Sequence, residues 1–514
     1  MNGAESLINA LAEHGVDACF ANPGTSEMQL VAALDKQPQI RAVLCLFEGV
    51  VTGAADGYGR MADKPALTLL HLGPGFANGI ANLHNAQRAH SPILNMVGDH
   101  ATDHLQHDAP LTSDIRGMAT PVSQSFSVSP NAEALAQTGL QALSDSQSYP
   151  GSISTFVVPA DHAWTAIAPP ITHLPGITTA RASDETIAAV AEQLRGAQHS
   201  ALFLGGRALR AEALYQAGRI AAATGCRLVT ETFFARQARG IGRVVTERLA
   251  YFGEMAVEQL AGLDTLVLVG AKAPVSFFAY PDKPSVLTPA AAAQCTLTDA
   301  EHDALDALTR LADHLSAPLE PSAINQRAQY RLEEGPINAN ELGKVIANRL
   351  PENAIVCDEG ATNSLGAFLL TANAAPHDWL TLTGGAIGQG LPLAIGAAIA
   401  CPSQKIIALE ADGSGMYTVQ ALWTMVREQL DITVMLLNNR SYAILNIELN
   451  RVGVDVPGPT ALSLLDLSNP DLEWTDIAKG MGMKATKVTS IQALDQAMAG
   501  AMTTAGPLLI EVML

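Results

Sequence analysis

The sequence predicts three doubly wound α/β domains, each built on a parallel sheet. Three observations carry this expectation. The chain has 514 residues, enough for three domains of ordinary size. Short apolar runs alternate with helix-length segments, the pattern of parallel βαβ units. Two Pro-flanked stretches, 168–175 and 318–336, divide that alternation into domains over 1–165, 180–318 and 337–514.

In the first domain a helical pattern over 4–14 leads to the apolar run 18–21 and the turn Asn22-Pro23-Gly24-Thr25. Runs at 42–47, 66–70 and 93–97 follow, each with a helical segment after it. The second domain has runs at 201–204, 227–230 and 265–269. The third opens with a helical pattern over 338–350. No short-period repeat is present, and no alignable sequence links the first and third domains.

The most informative stretch lies at 405–445. The apolar run 406–409 ends at Asp412-Gly413-Ser414-Gly415, and the segment 416–429 carries Leu422, Met425 and Val426 at helical spacing. A second run, 432–437, ends at Asn438-Asn439. If the two strands are neighbours they lie roughly 5 Å apart. Asp412 and Asn439 then meet at the carboxyl edge of the sheet, where open α/β sheets bind ligands. Both offer hard oxygens, the chemistry of a Mg²⁺ site completed by a carbonyl and phosphates. The amides of Gly413, Ser414 and Gly415 can face a phosphate. The plain alternative is an ordinary βαβ unit with a polar turn; the Asn pair ending the next strand favours the site.

Glu48 ends an apolar run and opens a segment of small residues, with no Lys or Arg before Arg60. Such a carboxyl tends to hold a proton more tightly than usual and can share it; a dipole-stabilised helix start is the other reading. His71 opens Gly73-Pro74-Gly75-Phe76-Ala77-Asn78-Gly79. The spacing is wrong for GxGxxG, and Pro74 interrupts it, which argues against a dinucleotide site. His100, His104 and His107 have metal-like spacing, but Asp99, Asp103 and Asp108 around them favour a solvated loop.

Ala411-Asp412-Gly413 with Asn438-Asn439 resembles the cofactor motif of thiamine-diphosphate enzymes, with Ala411 in place of its first glycine. Leu46-Phe47-Glu48-Gly49 followed by Ala54 to Arg60 is similar to acetolactate synthases and benzoylformate decarboxylase, as is the stretch 71–99 to the latter. The resemblance implies thiamine diphosphate and Mg²⁺, the metal held by the side chains of Asp412 and Asn439 and the carbonyl of Ser441. It implies that Glu48 hydrogen-bonds N1′ of the aminopyrimidine and that His71 assists proton transfer at the substrate. Gly385 would hold the 4′-amino group and Ile387 would wedge the cofactor, with Gly413, Ser414, Tyr442 and Ala443 around it. Thr25, Ile444, Leu445 and Glu448 would line the substrate pocket.

The resemblance also departs from its models. The second histidine of benzoylformate decarboxylase falls loosely at Ala279, and the region 122–126 lacks the lysine of an acetolactate synthase. The latter argues against FAD. The implied activity is decarboxylation of a 2-oxo acid, alone or with carboligation to an aldehyde or second 2-oxo acid. Alternatives are cleavage of a 2-hydroxyacyl or oxalyl thioester of coenzyme A, which needs more than the scattered Arg207 and Arg210, and a flavin or nicotinamide oxidoreductase. A non-catalytic paralogue is disfavoured because Glu48, Asp412 and Asn439 are all retained. The family arrangement implies a homodimer or homotetramer with sites at the dimer interface.

The net charge of −20 argues against a nucleic-acid partner. No apolar run is long enough to span a membrane. The start MNGAESL lacks signal-peptide character, and six scattered cysteines read as buried small hydrophobes. Together these point to the cytoplasm.

Overall fold

The computed structural model describes residues 1–281, 283–454 and 456–514. The strands form three sheets. The first contains β1 (Ala18–Asn22), β2 (Arg41–Leu44), β3 (Ala66–Leu70), β4 (Ile93–Asp99), β5 (Ser125–Val128) and β6 (Ile153–Pro159). The middle of the chain supplies β7 (Ser200–Leu204), β8 (Arg227–Thr230), β9 (Gln237–Arg239), β10 (Glu247–Arg248), β11 (Thr265–Val269) and β12 (Ala293–Thr298). The last part supplies β13 (Ala354–Glu359), β14 (His377–Thr381), β15 (Ile406–Ala411), β16 (Ile432–Asn438), β17 (Lys484–Val488) and β18 (Leu508–Met513).

The first sheet runs β2-β1-β3-β4-β6-β5, entirely parallel. The last runs β14-β13-β15-β16-β18-β17, the same order position for position. The shared architecture that no alignment revealed is therefore present. In both sheets the order reverses between the first and third strands, which opens a crevice at their carboxyl ends. The middle sheet runs β10-β8-β7-β11-β12.

Local chemistry explains the elements. β16, ITVMLLN, is buried along its whole length, as a central parallel strand requires. Asn2 and Glu5 form a capping box on the helix Gly3–Glu13, and Asn338 caps Ala339–Arg349. The helix Gly390–Ala400 is apolar on every side and packs along Glu48–Ala62. Their backbones approach too closely for side chains. A Cβ on Gly57 would lie 2.0 Å from the Leu393 carbonyl, and one on Gly396 would lie 1.9 Å from that of Ala54. The small residues after Glu48 thus serve helix packing.

Several elements differ from expectation. The helix Leu72–Arg88 starts immediately after His71, so Gly73-Pro74-Gly75 is its first turn rather than a separate glycine-rich turn. Proline is tolerated in a first turn because its missing N–H would be unpaired there anyway. The crossover read as one helix over 416–429 is a short turn of helix at Asp412–Gly415 followed by Ala421–Arg427. Strands β5 and β6 complete the first sheet without having been read. β9 leaves the middle sheet and pairs antiparallel with β14, Ala238 opposite Asp378. Arg60 joins all three parts: it pairs with Asp56 at 2.7 Å and donates to the carbonyls of Ala235 and Thr381. Cys19, Cys45, Cys226 and Cys357 are buried, but Cys295 and Cys401 are only partly so. Among the described residues no helix is long and apolar enough to cross a membrane.

Candidate active site

β15 and β16 are parallel neighbours, with Ala411 opposite Leu437. Asp412 and Asn439 therefore leave the sheet side by side at its carboxyl edge. Asp412 is 2% exposed, and burial raises its carboxyl above the ordinary value. Its Oδ1 accepts from the Gly413 amide at 3.0 Å and its Oδ2 from the Arg440 amide at 2.7 Å. Arg440 adopts a positive φ of 55° to bring that amide round. Asn439 Oδ1 accepts from the Ser441 amide at 3.0 Å. The edge thus presents a carboxylate and an amide oxygen. Each side-chain oxygen keeps a lone pair, and no nitrogen or sulfur competes. This donor set suits a hard divalent cation. The Tyr442 ring lies against Gly413, where a Cβ would stand 2.4 Å from it. Among the described residues no group of three His, Cys, Asp or Glu could hold a metal, and His100, His104 and His107 are not buried.

Glu48 begins its helix and is buried; its Oε2 accepts from Asn78 at 2.9 Å. His71 lies at the end of β3, and its Nδ1 is 2.8 Å from Glu27 Oε2. Glu27 is fully buried and also accepts from the Gly24 amide at 2.8 Å. Burial raises its carboxyl above the usual range, although Gly24 and His71 both pull it down. Gly98 leaves space for it: a Cβ there would lie 1.9 Å from Glu27 Oε1. Gly24 lies against the imidazole, where a Cβ would stand 2.3 Å from Nδ1. Thr25, Glu27 and His71 thus gather at the crevice of the first sheet, Thr25 being exposed.

The loop before Gly390–Ala400 carries Gly385 and Ile387. Gly385 has φ +77° and open space where a side chain would be, and Ile387 is half-buried. The neighbouring Ala386 is held through its amide and carbonyl by Asn85, at 3.1 and 2.7 Å. The helix Ala443–Arg451 follows Tyr442 directly, with Ala443 and Ile444 half-buried and Leu445 exposed. Glu448 faces the central part of the chain: Tyr280 donates to it, and Arg451 lies 3.4 Å away. Ala279, beside Tyr280, is exposed.

Family models for the N-terminal and C-terminal binding domains of thiamine pyrophosphate enzymes match residues 1–120 and 338–512. The chain is 48% identical, over 100% of its length and 99% of the relative, to a Mycobacterium tuberculosis protein described as "Putative acetolactate synthase large subunit IlvX". The chain belongs to the thiamine pyrophosphate enzymes. This thiamine pyrophosphate enzyme is also 28% identical to a benzoylformate decarboxylase of Pseudomonas aeruginosa, over 98% of this chain and 97% of that one. In fold it matches the thiamine diphosphate-dependent 4-hydroxybenzoylformate decarboxylase of Rhodococcus jostii RHA1, with TM-score 0.85 and 22% identity over 100% and 99% of the two chains.

Five residues in this thiamine pyrophosphate enzyme were given no role from the sequence. Glu27 sits three residues after Gly24, and that capping spacing was the available signal. Asn78, which holds Glu48, and Asn85, which holds Ala386, share one helix. Glu359 and Glu410 form a buried carboxyl pair on neighbouring strands close to Asp412. Desolvation raises both, and their mutual repulsion raises Glu410 further.

Proposed function

We propose that the protein is a thiamine diphosphate- and Mg²⁺-dependent decarboxylase of a 2-oxo acid, able to pass the product to a carbonyl acceptor. The observation that carries this reading is the oxygen-only edge made by Asp412 and Asn439 on neighbouring strands, in a chain whose two family-matched segments are both binding domains for this cofactor. Thiamine diphosphate, when bound, supplies the electron sink that lets CO₂ leave.

The protein's own groups do the rest. Asp412, Asn439 and the Ser441 carbonyl would hold the metal, with Gly413 and Ser414 beside the diphosphate. Glu48, steadied by Asn78, would hold a proton at N1′. His71 has Nδ1 committed to Glu27, so Nε2 is the nitrogen left to exchange a proton at the substrate carbonyl. Gly385 and Ile387 would seat the aminopyrimidine, Tyr442 and Ala443 would border it, and Thr25, Ile444, Leu445 and Glu448 would bound the substrate.

A cytoplasmic two-fold dimer is part of the proposal, with Glu48 of one chain serving the cofactor held by its partner. Glu48 lies in the segment matched by the N-terminal binding domain and Asp412 in that matched by the C-terminal one.

Calorimetric titration with thiamine diphosphate and Mg²⁺, followed by CO₂ release from a panel of 2-oxo acids, tests the proposal. Absence of cofactor binding would overturn it. Visible flavin absorbance of the purified protein would point instead to an oxidoreductase.

A further inference from the structure

Glu359 ends β13, and Glu410 is its direct partner in the register of β15. The two are 4% and 0% exposed. No Lys or Arg forms an ion pair with either among the described residues. Burying two adjacent carboxyls is costly, and apolar side chains would stabilise a core better. What the pair provides is direction. Glu359 Oε1 accepts from the Gly388 amide at 2.8 Å, and Oε2 accepts from the Gly390 amide at 2.6 Å. Glu410 Oε1 accepts from the Ser414 hydroxyl at 2.7 Å. The Gly388 carbonyl is held by Thr418 at 2.9 Å and by Asn82 at 3.3 Å. Gly390 must lack a side chain, since a Cβ would meet Glu410 Oε2 at 2.3 Å.

We infer that Glu359 is a positioning residue: through Gly388 and Gly390 it holds the loop bearing Gly385 and Ile387 at a set spacing from the Asp412–Ser414 turn that Glu410 holds. This rests on the thiamine diphosphate reading above. The loop and the turn come from different βα connections, joined directly only where Thr418, just after the turn, reaches the Gly388 carbonyl among the described residues. The two carboxyls meet across neighbouring strands at the crevice and transmit the rigid strand spacing to both. The consequence is a pyrimidine seat and a metal edge presented together before the cofactor arrives, which lowers the ordering cost of binding.

The two glutamates differ in what a glutamine can replace. Glu359 uses both oxygens as acceptors for backbone amides. Gln offers one acceptor and turns an NH₂ against the second amide. Glu410 needs one acceptor for Ser414, and its other oxygen accepts from no donor among the described residues. Glu410→Gln keeps that acceptor and directs its NH₂ toward Glu359.

The test measures thiamine diphosphate affinity with Mg²⁺ saturating, the near-ultraviolet circular dichroism of the bound cofactor, and melting without cofactor. Glu359→Gln is expected to weaken binding roughly 10- to 100-fold and alter the bound dichroism, whereas Glu410→Gln stays within a few fold of the wild type. Thr418→Val, which removes one of the two donors to the Gly388 carbonyl without touching a carboxyl, is expected to shift both readouts in the same direction by less. The inference is overturned if Glu359→Gln binds with wild-type affinity and dichroism. It is equally overturned if the two glutamine variants lose affinity alike and in proportion to their cofactor-free melting. A wild-type chain that binds no thiamine diphosphate would instead remove the functional reading on which the inference rests.

Discussion

Mixing two inactive variants, Glu48→Gln and Asp412→Ala, tests whether the site is shared between chains. Glu48 opens a helix in the segment matched by the N-terminal binding domain, whereas Asp412 follows a strand in the segment matched by the C-terminal one. Each parent is expected to be down by roughly 10²- to 10⁴-fold, the usual worth of a positioned acid–base group. In a heterodimer one site carries both defects and the other carries neither, so half of its sites are intact. Random reassociation of equal amounts makes about half the dimers mixed, which returns about a quarter of wild-type activity for a two-fold assembly. The assay is CO₂ release after dissociation and mixing, with subunit exchange verified by native mass spectrometry. Full exchange with no recovery would refute the shared site and place both halves in one chain.

Asp412→Ala leaves the Arg440 amide without its carboxylate partner and removes the carboxylate proposed to hold the metal; calorimetry is expected to show thiamine diphosphate affinity reduced at least about tenfold. His71→Ala is expected to lower turnover by roughly 10²–10⁴ with cofactor binding intact, and normal turnover would make His71 a packing residue. Gly98→Ala puts a methyl 1.9 Å from Glu27 Oε1; it should displace Glu27 from His71, slow turnover, and cost about 1–3 kcal/mol of stability by denaturant titration. Burial, with a smaller push from the nearby Arg239, holds the His377 imidazole down to about 3. The unfolded chain accepts a proton near 6.5 that the folded chain refuses, so the stability His377 contributes is present above that pH and lost as pH falls toward 3. At about 1.4 kcal/mol per unit this amounts to several kcal/mol; His377→Gln should flatten the acid side of a stability–pH curve, and an unchanged curve would contradict the assignment.

The elements legible in the sequence are those whose signal is short in range. Asp412 and Asn439 flank one βαβ unit, and two consecutive parallel strands joined by a crossover nearly always lie close together. Their meeting at one edge could therefore be expected from spacing alone. The apolar runs that became β1, β3, β4, β7, β11 and β16 carry their own burial pattern. Glu48 and His71 stood at strand ends, where function in such sheets concentrates.

What tertiary structure decided lies between distant segments. β9 looks like part of the middle sheet until it pairs with β14 far along the chain. Ser125–Val128 is polar and short, and becomes a strand because β6 offers it an edge. Gly73-Pro74-Gly75 reads locally as a turn, yet packing of the helix that begins at Leu72 overrides that preference. Glu27 is an unremarkable acidic residue until the fold seals it over Gly98 and against His71, 44 positions away. Glu359 and Glu410 belong to separate strands, and only parallel register makes them partners. Sequence by itself determined the alternating α/β plan and the meeting of Asp412 and Asn439 at one sheet edge, because periodicity and strand-end chemistry are local. The fold alone decided which carboxyls are buried together and which loops they hold, because burial and hydrogen-bond partners are set by contacts between segments far apart in the chain.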